Sequence, residues 1–322
     1  MSQPKISVVI PVRNEAGKIE QCLKAILSQS LKPHEIIVVD GHSTDKTVEK
    51  AIQFPVKILY EDCHTRAGGC QIGVENAEGE YIAFTDADCI PETDWLANLI
   101  KEFDDGIVGV GGGIKNVGKG LWLESISLAA DTFLGSADSV QGRYFKSKRQ
   151  VRSISGSNSM YKKSALKIIG GFNTALSGRE DAEINSRLRE CGKLLYTPSA
   201  VIKHDHKRGL KQYARQMYLY GSQMKKSNVW SLTALPPILL GLLIASLLFT
   251  RWLFPIMLGT YFIILILMGI RFAIQERKGR YLLSIPVVYA VEHAAYTAGF
   301  WRGILLPIRR RRLKSDREVL KI

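Results

Sequence analysis

The first 231 residues predict an α/β domain built on a mostly parallel sheet, and the rest predicts an α-helical membrane segment. Three observations carry this. Short β-branched runs alternate with helical patterns across residues 6–111, the arrangement that gives a parallel sheet covered on both faces. Polar and acidic residues follow the strand-like runs, at the edge where such sheets bind ligands. Two long apolar runs then appear near the C-terminus.

The strand-like runs are ISVVI (6–10), EIIVV (35–39), VKILY (56–60), YIAFT (81–85) and IVGVG (107–111). Helical patterns lie between them at 16–29, 44–53, 67–77 and 92–103. After the first strand comes PVRNE (11–15), after the second DGHSTDKT (40–47) and after the fourth DADC (86–89). The fourth case poses the sharpest question. Asp86 and Asp88 close an apolar strand, where like charges repel and burial is costly. A divalent cation with an anionic ligand answers it; so does a solvated acidic turn.

The run at 232–249 has 18 residues without charge, and that at 252–270 has 19. A span needs about 20 apolar residues, so the pair reads as a helical hairpin through the bilayer, turning at Thr250 and Arg251. A third run, 281–308, contains Glu292, His293 and Arg302. It spans with those groups facing other helices, or lies at the interface as an amphipathic helix. Its flanks, RFAIQERKGR (271–280) and RRRRLK (309–314), are both basic. The positive-inside rule puts both on the cytoplasmic side, which favours two crossings within 232–270 and an interfacial 281–308. The predicted organisation is a catalytic domain over 1–231, a membrane region over 232–308 and a basic tail over 309–322.

Charge and cysteine narrow the function. Lys plus Arg is 44 against 30 Asp plus Glu, a net charge of +14, of which +8 falls in 271–322. An excess beside apolar runs suits an anionic membrane surface better than nucleic acid. The five cysteines include no CxxC pair, and MSQPKISVVIPVRNE does not read as a secretory signal. A reduced, cytoplasmic domain on a multi-pass membrane protein is the expectation.

Four segments, in order, resemble glycosyltransferase family 2: SVVIPVRNE, IIVVDGHSTDKT, RAGGCQIGVENAEGEYIAFTDAD and GGFNTALSGREDAEINSRLRECG. The resemblance covers roughly residues 5 to 220. It implies the Rossmann-like GT-A fold and an inverting transfer of a sugar from a nucleotide-sugar, with Mg²⁺ or Mn²⁺. By the same resemblance Asp88 is the main metal ligand, and Asp86 faces the ribose or reaches the metal through water. Asp40 accepts a hydrogen bond from the base, while Pro11, Asn14 and Glu15 line the nucleoside pocket. Asn14 and Glu15 equally suit an ordinary helix start. Arg66 matches a basic position near the diphosphate, beside the small run AGG (67–69) that lets backbone approach a donor. Glu180 and Asp181 match the pair that supplies the general base, with Asp181 in that role; acidic residues also suit a helix start on dipole grounds alone. His204 matches a histidine that completes the metal shell, and His206 is the spare.

Two stretches depart from the family pattern. Cys70 and Gln71 stand where Arg-Asn is frequent, which loosens any detailed contact assigned there. QMYLY (216–220) replaces the Gln-x-x-Arg-Trp of processive polysaccharide synthases and argues against a polymerase. GSNSM (156–160) matches a segment near the acceptor, and the basic, aromatic GRYFKSKRQVR (142–152) suits a lipid phosphate or a solvated loop. The expected activity is transfer to a hydroxyl of a lipid-linked glycan or a lipid at the cytoplasmic membrane face. Its rivals are a polyprenyl-phosphate sugar synthase and a nucleotide-binding membrane scaffold without turnover.

Overall fold

The computed structural model describes residues 4–136, 144–205, 209–230, 232–250 and 252–306. His206, Arg251 and the tail at 309–322 lie outside the described residues, as do the first two residues of the basic stretch at 142–152.

The chain alternates as the sequence patterns suggest: β1 (Ile6–Val12), α1 (Ile19–Leu27), β2 (Glu35–Asp40), α2 (Thr47–Ala51), β3 (Lys57–Tyr60), α3 (Arg66–Asn76) and β4 (Tyr81–Thr85). Then come β5 (Cys89–Pro91), α4 (Trp95–Ile100), β6 (Ile107–Val117), α5 (Leu121–Ala130) and α6 (Phe133–Ser136). The chain continues with β7 (Arg149–Val151), β8 (Asn158–Lys162), α7 (Lys163–Ile168), α8 (Glu180–Leu188), β9 (Lys193–Asp205), α9 (Leu210–Ser222) and α10 (Met224–Ser227). Three helices follow: α11 (Leu235–Phe249), α12 (Leu253–Gln275) and α13 (Tyr281–Leu305).

The strands form one sheet in the order β3-β2-β1-β4-β8-β6-β9-β5, with β7 also on β9. β1, β2, β3, β4, β6 and β9 point one way, while β8, β5 and β7 run against them. The mostly parallel expectation holds, with β8 inserted antiparallel between β4 and β6. Both faces are covered, as continuous apolar strands require. Val8 and Ile10 pack with Leu23, Ile26 and Trp95 on one side. Val9, Ile37 and Val39 pack with Val74 and with Ile184 and Leu188 on the other. Ile184 and Leu188 are the four-spaced stripe of the acidic helix, and both are fully buried.

A third cluster joins the sheet domain to the C-terminal helices. Ile126 and Ala129 of α5 and Tyr213 of α9 pack with Leu265 and Phe272 of α12 and with Ile285, Val288 and Tyr289 of α13. Glu124 on α5 receives Tyr281 Oη at 2.5 Å and Lys278 Nζ at 3.3 Å, and Arg280 pairs with it too. The basic link between α12 and α13 is thus held against the sheet domain.

Among the described residues, α12 alone is a helix long and apolar enough to cross a membrane. Its 23 residues rise about 35 Å, more than the hydrocarbon thickness of about 30 Å. Only 11% of its apolar window is buried, so most of its apolar surface faces outward. α11 has 15 residues and rises about 22 Å, short of a full span by itself. Both helices expose large side chains, among them Leu239, Leu242, Ile263 and Leu267.

α13 lies along α9 at very short range, and small residues permit it. A Cβ on Gly299 would stand 2.0 Å from the Tyr218 carbonyl oxygen, one on Gly221 2.1 Å from that of Tyr296, and one on Gly303 2.4 Å from that of Ser222. Backbone cannot yield as a flexible side chain does. Gly299→Val is therefore expected to destabilise the protein by roughly 1–3 kcal/mol through overpacking. Gly279→Val, where a Cβ would meet nothing within 4 Å, is the matched control. Thermal unfolding in detergent checks both; equal melting temperatures would remove the close-packing account.

Candidate active site

The ends of β1, β2, β3 and β4 and the first turns of α3 and α8 converge on one cavity of about 1190 Å³. Pro11, Glu15, Arg66, Asp86, Asp88, Glu180, Asp181 and His204 all stand on its walls. Eight of the ten residues singled out from the sequence meet there. Asn14 and Asp40 do not form its walls, and each has a local occupation. Asn14 holds φ 56°, and its Oδ1 accepts the Thr44 backbone N–H at 2.8 Å. Its own N–H donates to Ser43 Oγ at 2.8 Å, so it staples the β1 turn to the β2 turn. Asp40 is 1% exposed. Its Oδ2 accepts the Ser43 N–H at 2.8 Å and its Oδ1 the Ser43 hydroxyl at 2.5 Å.

Arg66 organises the centre. It opens α3, whose N-cap Thr65 accepts the Gly68 N–H at 3.0 Å. Its Nε donates to Asp86 Oδ1 at 2.8 Å, and its Nη1 to Glu180 Oε1 at 3.3 Å. Nη2 lies 2.8 Å from the same Asp86 oxygen, so the guanidinium pairs with Asp86 through two of its nitrogens. Burial works against the guanidinium charge, yet Asp86 and Glu180 more than offset it and hold Arg66 charged. Gly156 makes room, since a Cβ there would sit 2.7 Å from Arg66 Nη1.

Glu180 and Asp181 open α8 from Arg179, which caps it in a left-handed conformation at φ 63°. Burial pushes the Glu180 carboxyl up, the neighbouring Asp181 adds to that, and Arg66 opposes it. Asp181 Oδ1 accepts the Ala182 N–H at 2.8 Å, and Oδ2 accepts that of Gly156 at 3.4 Å. The GSNSM segment thus meets the acidic helix at its first residue. Further along the segment, Asn158 is structural. It accepts from Trp95 Nε1 at 2.7 Å and donates to the carbonyls of Gly113 and Ala200.

Asp88 and His204 lie on neighbouring strand ends, because β5 pairs with β9 in the register Cys89↔His204. His204 Nε2 is 3.1 Å from Asp88 Oδ1, and Asp88 O accepts the Asp205 N–H at 3.1 Å. Asp88, Cys89 and His204 each bring a donor atom within 4.8 Å of the others. Burial pushes the Cys89 thiol up, so it is a poor ligand for a hard ion. A carboxylate and an imidazole remain, which suit a divalent cation that takes oxygen and nitrogen donors. The donor set fits.

The sequence patterns missed three nearby groups. Lys18 stands with its Nζ 3.9 Å from Asp88 Oδ2 and donates to the Asp205 carbonyl at 2.8 Å. Burial pushes the Glu15 carboxyl up, and Lys18, 4.0 Å away, draws it down. Arg179 reaches Tyr296 Oη at 3.1 Å and the Val229 carbonyl at 2.9 Å. Glu61 directly follows β3 and forms part of the cavity wall. The position after a parallel strand was a usable signal for Glu61; nothing local marks Lys18 or Arg179.

Residues 7–170 match the sequence model described as Glycosyl transferase family 2. A dolichyl N-acetyl-alpha-D-glucosaminyl phosphate 3-beta-D-2,3-diacetamido-2,3-dideoxy-beta-D-glucuronosyltransferase of Methanococcus voltae is 26% identical, over 93% of this chain and 97% of its own. The succinoglycan biosynthesis protein ExoA of Rhizobium meliloti (strain 1021) is also 26% identical, over 94% of this chain and 96% of its own. The fold resembles that of a Pyrobaculum calidifontis mannosyltransferase solved with GDP-Man and Mn²⁺, with a TM-score of 0.61 and 20% identity over 95% of this chain and 88% of that one. The motifs, the sheet with its acidic edge and the family match agree: this chain is a glycosyltransferase and belongs to glycosyl transferase family 2.

Proposed function

We propose that the chain is a metal-dependent, inverting glycosyltransferase that moves a sugar from a nucleoside-diphosphate sugar to a hydroxyl of a lipid-linked acceptor at the cytoplasmic membrane face. One observation carries this reading. The cavity that holds Asp88, Asp181 and His204 continues without interruption to apolar side chains of α11 and α12, among them Leu239, Leu243 and Met257. A lipid tail suits the second end and a charged donor the first. The Methanococcus voltae relative takes its name from a dolichyl phosphate-linked sugar, which supports the same acceptor class.

In this reading Asp88 and His204 hold a divalent cation, Mg²⁺ or Mn²⁺, with Asp86 beside it. When bound, the cation supplies positive charge to a diphosphate leaving group. Arg66, on the same cavity wall, adds its positive charge near that group. Pro11 and Glu15 border the nucleoside. Asp181 takes the proton from the acceptor hydroxyl as that oxygen attacks the anomeric carbon from the face opposite the diphosphate. Glu180 stays on Arg66, which leaves Asp181 as the carboxylate for proton transfer. We further place α12 in the bilayer with the shorter α11 packed beside it and α13 along the interface, with the basic stretch at 271–280 cytoplasmic.

Two measurements test this. Asp88→Asn and His204→Ala are expected to weaken Mn²⁺-dependent nucleoside-diphosphate binding by calorimetry and to remove transfer. Full transfer in excess chelator would sink the metal's role. Asp181→Asn is expected to keep donor binding and to lower transfer by about 10² to 10⁴, in kcat more than in donor KM. An ionised phosphate acceptor needs no base, so near wild-type transfer by Asp181→Asn would favour a polyprenyl-phosphate sugar synthase instead.

A further inference from the structure

Between the acidic end of the cavity and its apolar end stands a cation with no anionic partner. Arg179 is half-buried on the cavity wall, one residue before Glu180. Its Nε donates to Ser227 Oγ at 3.3 Å, its Nη1 to Tyr296 Oη at 3.1 Å and its Nη2 to the Val229 carbonyl at 2.9 Å. All three acceptors are neutral, and among the described residues no carboxylate pairs with it. The carboxyl that α13 brings to this wall, Glu292, bonds Tyr213 instead. Arg66 differs, since it meets both Asp86 and Glu180. A third arginine of the wall, Arg13, is exposed and directly follows β1, at the donor end.

Three separate segments thus fix the guanidinium, yet they use only part of it. A guanidinium carries five N–H donors, so one on Nη1 and one on Nη2 remain. Taking a charge partly out of water costs free energy that neutral acceptors recover only in part. An anion recovers the rest, and a phosphate ester offers arginine both charge and acceptor oxygens. The surroundings select the kind of ester. Asp181 lies two residues along the chain, on the same wall. In the other direction the wall runs through Tyr296 and Thr233 to Leu235, Pro236 and Leu239 of α11. A phosphate here has a polar side for a sugar and an apolar side for a chain.

We propose that Arg179 binds the phosphate that joins the acceptor's sugar to its lipid, so that the acceptor is an anionic lipid phosphodiester and not a neutral glycolipid. The proposal rests on the lipid-linked acceptor reading above and narrows it. A phosphate held by the residue that caps α8 keeps its attached sugar beside the first turn of that helix, where Asp181 stands. A site built around a cation with spare donors rejects ligands that leave them unpaired.

The test titrates farnesyl methyl phosphate, a lipid phosphodiester, and its neutral counterpart farnesyl methyl ether into the purified full chain in nonionic detergent. The wild type is expected to bind the diester at least about tenfold tighter than the ether, the equivalent of one charge-assisted hydrogen bond. Arg179→Gln and Arg179→Met are expected to bring that ratio below about threefold while keeping Mn²⁺-dependent UDP or GDP binding. Two neutral variants are used so that a folding defect in one leaves the test intact. Arg179→Lys retains the charge and is expected to keep a ratio above about fivefold. A smaller ratio in the wild type, a ratio that survives in the neutral variants, or one lost equally in Arg179→Lys would overturn the role of Arg179 and leave the glycosyltransferase reading standing. Displacement of the diester by equimolar phosphatidylglycerol would assign the site to a bilayer phospholipid and overturn the acceptor role. Sugar transferred from UDP-N-acetylglucosamine or GDP-mannose onto farnesyl phosphate would make the phosphate the attacking group and overturn both this proposal and the hydroxyl acceptor. Binding of neither farnesyl probe, with nucleotide binding intact, would overturn the lipid-linked acceptor as well.

Discussion

One guanidinium holds the centre together. Arg66 lies between Asp86 at the end of β4 and Glu180 at the start of α8. Asp88 and Asp181 share the same cavity with Glu15 and Glu61, so several carboxylates face one space. Like charges gathered in a partly dry site repel, and each pays for lost hydration. Arg66 offsets two of them and fixes where two separate elements end. The side chains of Arg66, Asp86 and Glu180 are 26%, 27% and 11% exposed, so water weakens these pairs only in part.

The acidic helix has a second anchor on its other side. Arg179, one residue before Glu180, accepts a left-handed backbone and sends its guanidinium to Val229 and to Tyr296 of α13. α13 in turn lies on α9 through Gly299 and Gly221. The proposed base therefore sits on a helix tied at once to Arg66 and to the C-terminal helices. This connection gives a physical reason for the sheet domain and the apolar helices to share one cavity. In the proposed reading, a lipid-linked hydroxyl entering along α11 and α12 would arrive at the first turn of α8.

The parallel half of the sheet was legible because its strands are short, continuous apolar runs with polar residues immediately after them. The acidic edge was legible for the same reason: Asp86 follows directly on β4, and Asp88 and Glu15 stand three residues past β4 and β1. β8 and β9 were not. β8 contains two buried polar residues, Asn158 and Ser159, and the burial of Asn158 depends on partners far away in sequence. β9 is broken in register against β6 between Gly112 and Gly113, near Pro198, so its pattern has no clean period. At the site, a carboxylate's type and place in a motif did not reveal its partner. Asp40 is occupied by a serine three residues away. The two apolar runs gave the helices α11 and α12, but residues 232–234 form a short 3₁₀ turn before α11 begins, which leaves it only 15 residues.

The dependence on Arg66 has one direct measurement, which combines stability and transfer in a single set of variants. Arg66→Met is expected to lose stability on the order of 2 kcal/mol, between the cost of breaking a surface pair and that of breaking a buried one. It is also expected to lose transfer by at least about 10²-fold, on the scale of removing one preorganised donor. Adding Asp86→Asn and Glu180→Gln to it removes the uncompensated charges, so most of the stability returns while transfer does not. Stability of Arg66→Met equal to wild type, or transfer restored with stability in the triple variant, would contradict the account.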